Sequence, residues 1–127
     1  MNALTAVKPP KLETVTIRVE ESGRIAFKGT ITTENPSADV GAFMLALHKA
    51  ALADKRDSVE IDVSGLTFVN SSAIRLFIDW ASWLRIPGKP PPYVLRICAS
   101  RTITWQKTSF MALRSLAAGI IQVHEVD

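Results

Sequence analysis

The sequence predicts a single α/β domain, a mixed β-sheet with helices mainly on one face, in the element order β-β-α-β-α-β-α-β. Three observations carry this expectation. Short runs of alternating apolar and polar residues recur along the chain, segments of helical spacing separate the later runs, and no run is continuously apolar. Strands buried on both faces lose their alternation, so one sheet face should be open to solvent. The last three βα units imply parallel strands joined by crossover helices.

From Thr14 to Glu20, Val15, Ile17 and Val19 alternate with Thr16, Arg18 and Glu20, the period of a half-buried strand. Ile25, Phe27 and Ile31 mark a second strand, and Glu21-Ser22-Gly23 suits a hairpin between the two. Asn35-Pro36 breaks the chain and Ser37 is a good N-cap. Val40, Phe43, Met44, Leu47 and Ala51 then share one face of a first helix. Val59, Ile61 and Val63 give a third strand, with Glu60 and Asp62 pointing out. After Ser64-Gly65 and Leu66 to Val69, the short polar side chains of Asn70-Ser71-Ser72 can cap a second helix running to about Ile86. The proline run from Pro87 to Pro92 cannot continue it, and a fourth strand spans Tyr93 to Cys98, with Leu95 and Ile97 inward. Thr102 caps a third helix with Ile103, Phe110, Leu113 and Ala117 on one face; Gly119 ends it, and Ile121 and Val123 begin the last strand.

With 127 residues, 47% hydrophobic and 21% charged, the chain has the size and apolar content for one core. Apolar stretches such as Ala42 to Leu47 fall far short of the roughly 20 residues that span a bilayer. Residues 1–12 lack an apolar stretch behind a basic one and read as a short flexible arm ahead of a domain over 13–127, not as a signal peptide. A cytoplasmic location with no membrane partner is expected. Cys98 is the only cysteine, which excludes an intramolecular disulfide or a cysteine-rich zinc site.

The net charge of +3 is spread along the chain without the basic cluster of a nucleic-acid groove. Arg18, Arg24, Lys28 and Arg96 on the open face lack stacking partners, because Phe27 and Tyr93 fall in the core phase, so no nucleic acid is expected. His48 and His124 have no Cys or acidic neighbours at ligand spacing, so no metal is expected. No Gly-x-Ser-x-Gly elbow or Gly-rich phosphate loop is present, so the sequence names no catalytic residue and no cofactor.

The stretch VEIDVSGLTFVNSSAIRLFIDW, Val59 to Trp80, resembles the signature of STAS domains, in which an apolar strand and a short apolar link lead into Asp-Ser-Ser-Gly at the start of a helix. It is most similar in order to the bacterial anti-sigma-factor antagonists. That resemblance implies a regulatory protein-binding module in signal transduction and transcription regulation, not an enzyme. It implies phosphorylation of the first serine of the pair by a partner kinase that is also an anti-sigma factor, with the phosphate weakening binding. By position the phosphoacceptor is Ser71, with Asn70, Ser72 and Ala73 as neighbours. Asn70 stands where the family has an acid, and Ala73 where it has glycine. The implied partner is an anti-sigma-factor-like serine kinase or another regulatory protein, and a homo-oligomer is compatible. The alternative is a STAS-like scaffold or small-ligand sensor that works without phosphate.

Apart from the resemblance, Asn70-Ser71-Ser72 reads simply as a helix cap. Leu76, Trp80 and Trp83 fall beside a stripe of Ile74, Phe77, Ile78 and Ala81 that reads as the core side of the second helix. The three either pack under a neighbouring element or form an apolar patch for a partner.

Overall fold

The computed structural model describes residues 3–32 and 37–126. Five strands form one sheet in chain order: β1 (Val15–Val19), β2 (Ile25–Ile31), β3 (Ser58–Val69), β4 (Val94–Ser100) and β5 (Ile121–Val126). Helices α1 (Ala42–Ala53), α2 (Ser71–Leu84) and α3 (Thr104–Leu116) connect the last four strands. β1 and β2 are antiparallel, joined through Gly23 at a φ of 91° that glycine adopts without penalty. The remaining pairings are parallel. Each crossover steps one strand further in the same direction, and right-handed crossovers that all step one way leave their helices on one face.

Burial follows that arrangement. Val15, Ile17, Phe27, Val59, Ile61, Leu95, Ile97 and Ile121 are buried beneath the helices. In the opposite phase Arg18, Lys28, Arg96 and Gln122 are exposed, and Glu60 keeps 43% of its side chain accessible. The open polar face expected from the alternation is present. On it Arg24 reaches Glu60 at 3.1 Å and Asp62 at 2.9 Å. Ion pairs this wet contribute about 0–1 kcal/mol each, so the pairs order the face more than they hold the fold.

The structure joins the two apolar segments expected around Ser64-Gly65 into one long strand. Its pairing with β2 slips between Ala26 and Lys28 and again between Gly29 and Thr30, which absorbs the extra residues as bulges. The slip changes which side chains face in. Leu66 and Val69 are buried, while Phe68 turns out with 50% of its surface exposed. Gly29 makes the irregularity possible: its φ is +115°, and a Cβ there would stand 2.2 Å from the Thr14 carbonyl oxygen. Gly29→Ala is therefore expected to destabilise the domain by roughly 1–3 kcal/mol. The check is a lower urea midpoint at unchanged m-value.

Other boundaries moved for local reasons. Asn35 and Pro36 lie outside the described residues. Ser37–Gly41 form a single π-turn, so α1 starts at Ala42 with Gly41 as its cap, and no side chain caps it. α2 stops at Leu84, ahead of the expected Ile86, with Arg85 already extended. α3 is capped at Ile103 without a side-chain bond, while Thr102 instead pairs its hydroxyl with Ser100. The arm expected over residues 1–12 is packed on the domain at its start: Ala3–Ala6 form a short 3-10 helix, Leu4 is fully buried, and the Ala3 amide donates to Asp54 at the end of α1.

Candidate partner-binding site on α2

The chain leaves β3 at Val69, and the Asn70 amide donates to the Ile31 carbonyl, which fixes where α2 begins. Asn70 is the N-cap: its side-chain oxygen accepts from the Ala73 amide at 2.9 Å. The cap is thus filled before either serine is needed. Ser71 and Ser72 are both exposed on the first turn. Ala73 is fully buried, so the methyl group that replaces glycine here is taken up by the core.

Ser71, Ser72, Ile74, Arg75, Ile78 and Asp79 line one open depression of about 510 Å³. Ser71 and Arg75 are one turn apart on the helix, so they share its surface. The strand that leads into this turn is held by α3. Gln106, itself fully buried, donates to the Val63 and Leu66 carbonyls, and the Trp105 indole donates to Thr67 at 2.8 Å. Phe68, the residue after the Trp105 anchor, faces solvent.

The apolar residues of α2 divide differently from the sequence expectation. Leu76 and Trp80 are core residues, 6% and 0% exposed, and cannot serve as a partner surface in the folded chain. Ile74 is half-buried and Ile78 is 42% exposed, although both were expected in the core stripe. The buried face is Ala73, Leu76, Phe77, Trp80, Ala81 and Leu84, a regular helical stripe. Trp83 is half-buried. Sequence reasoning missed Ile78 and Phe68 as outward apolar groups. Ile78 was detectable, since it lies in the polar arc of Arg75, Ser82 and Arg85; Phe68 was not, because a bulge sets its direction.

Trp80 begins a hydrogen-bond chain. Its indole donates to the Tyr93 oxygen at 2.7 Å, and that oxygen lies 2.6 Å from His48 Nδ1. An indole N–H can only donate, so the Tyr93 oxygen accepts from it, and the direction of its bond to His48 follows the His48 tautomer. Burial raises the Tyr93 pKa to about 12, with the Trp80 bond opposing part of the rise. Burial lowers the His48 pKa from its usual 6.5. With the folded pKa below the unfolded one, the neutral ring's contribution is complete above about pH 6.5 and is lost as pH falls through the folded value. The urea midpoint of the protein should accordingly drop between pH 7.5 and 5, and His48→Gln, which keeps an acceptor, should flatten that profile.

Among the described residues no three His, Cys, Asp or Glu side chains come together to hold a metal ion. No described helix is long and apolar enough to cross a membrane.

No protein-family model and no curated protein matches the sequence. Solved structures do. A chain of the crystal structure of diguanylate cyclase SiaD in complex with its activator SiaC, from Pseudomonas aeruginosa, superposes with a TM-score of 0.67 at 20% identity, over 94% of this chain and 98% of that one. An anti-sigma factor antagonist from Mycobacterium paratuberculosis superposes with a TM-score of 0.57 at 17% identity, over 87% and 86%. The fold is STAS-like, as the Val59 to Trp80 resemblance implied.

Proposed function

We propose that this chain is a regulatory protein-binding module of the anti-sigma-factor-antagonist kind, cytoplasmic and non-catalytic, whose partner affinity falls when Ser71 is phosphorylated. The observation that carries the reading is the division of labour at the start of α2. Asn70 caps the helix, which leaves the Ser71 hydroxyl on an exposed first turn beside outward apolar and basic side chains. A phosphate adds about −1.5 to −2 charges, which a helix N-terminus tolerates, so the fold survives. A partner surface fitted to a neutral hydroxyl must instead desolvate a dianion. The partner on this reading is a serine kinase resembling an anti-sigma factor, and Ser71 rather than Ser72 is its substrate.

The extensive overlap with a chain of the cyclase–activator complex favours a second reading, in which the same face regulates an enzyme instead of a sigma-factor pathway. A scaffold or ligand sensor with the same face would bind alike before and after kinase treatment.

The test is incubation with the cognate kinase and ATP, followed by mapping of phosphate by mass spectrometry and measurement of binding. Ser71→Ala should stay bound throughout, and Ser71→Asp should bind at least about tenfold more weakly, the scale of one misplaced charge at an interface. Phosphate on Ser72 alone, or none with an active kinase, would sink the switch.

A further inference from the structure

Asp79 and Trp83 lie one turn apart on α2 and share a second groove, about 250 Å³, with Ala42, Leu45 and Leu76. Among the described residues no Lys, Arg or His stands within ion-pair distance of the Asp79 carboxylate. The α1 wall of the groove brings no charge: it is Gly41, Ala42, Met44 and Leu45. His48 packs on Trp83 with ring centroids 5.6 Å apart, but its Nδ1 is engaged by the Tyr93 oxygen at 2.6 Å, and burial disfavours its charged form. Asp79 also lines the Ser71 depression, so the groove continues the face described above.

A carboxylate beside an indole in an apolar groove suits a cation carried on an aliphatic stem. An acidic or purely apolar partner would strip water from Asp79 and return nothing for it. We infer that this groove receives a lysine or arginine side chain of a protein partner, with its methylenes on Ala42 and Leu45 and its cation between the Asp79 carboxylate and the Trp83 ring. The inference rests on α2 facing a partner, and it names the partner chemistry that the phosphoserine reading leaves open.

Its test needs no partner in hand. Acetyl-arginine amide is titrated into the isotope-labelled full chain and followed by NMR, with acetyl-citrulline amide, the same shape without the charge, as the control. The Trp83 indole and Asp79 amide signals should shift together and saturate with the arginine compound, and the citrulline compound should bind at least about fivefold more weakly. Asp79→Asn should erase that preference while the rest of the spectrum stays in place. Equal response to both compounds, a preference that survives Asp79→Asn, or no saturable shift at Trp83 each overturns the inference. No arm uses kinase or phosphate, so failure here leaves the Ser71 test standing, and the reverse holds too.

Discussion

Trp80→Ala is expected to destabilise the domain by about 3–5 kcal/mol, the range for removing a large aromatic side chain from a packed core. Trp83→Ala, three residues along the same helix, should cost less than about 1.5 kcal/mol, because Trp83 is only partly buried, at the edge of the core. The difference comes from what each indole touches. Trp80 is fully buried and supplies the hydrogen bond that Tyr93 accepts. Its loss leaves a cavity, and it leaves the Tyr93 oxygen with His48 as its one hydrogen-bond partner among the described side chains. Trp80→Phe separates the two effects: most of the volume returns, and the remaining deficit should be about 1 kcal/mol, the net worth of one buried hydrogen bond. Urea unfolding followed by far-UV circular dichroism measures all three variants. Equal losses for the two alanine variants would mean that Trp83 is as much a core residue as Trp80, and would remove it from any partner surface.

The same pair of residues shows how far the sequence could be read. Period-two alternation located all five strands and the open face, because a sheet covered on one side imposes that pattern locally. Helical spacing located the three helices, but two adjacent apolar stripes on α2 compete for the core, and spacing alone does not say which one faces the sheet. The structure resolves that through Tyr93, which lies just before β4 and meets Trp80 from outside the helix. The direction of Phe68 was not legible for a different reason: alternation fails wherever a strand bulges, and the bulge depends on Gly29 of the neighbouring strand. The Ser71 site was legible as a helix start. That Asn70 alone fills the cap, and so frees the serines, needed coordinates. Leu4 and Gln106 carried no periodic signal at all, one being a lone apolar residue in a short turn and the other a polar residue in the core.

Gln106→Leu is expected to cost roughly 3–9 kcal/mol, because it strands three buried backbone groups at about 1–3 kcal/mol each. The ladder between β3 and β4 ends at Asp62 and Cys98, and beyond it the two strands part. Gln106 fills the gap. Its side-chain oxygen accepts from the Ser100 amide at 2.7 Å, and its amino group donates to Val63 at 2.8 Å and also to Leu66. Leucine matches the size of the side chain and none of these bonds, so packing survives while one N–H and two C=O groups lose their partner. Gln106→Glu tests the donors separately. A carboxylate can still accept from Ser100, but it faces two carbonyl oxygens and cannot donate to either. Burial against those oxygens favours the protonated acid and raises its folded pKa above the unfolded value of about 4.3. Stability supplied by the protonated form is then present below that value and lost as pH rises through the folded pKa, so Gln106→Glu should be weakest near neutrality and recover in acid. Because β3 leads directly into Ser71, both variants should also speed hydrogen exchange at the end of β3 and the first turn of α2. A Gln106→Leu protein with the wild-type urea midpoint would show that water reaches these groups, and that the end of β3 is not held by this side chain.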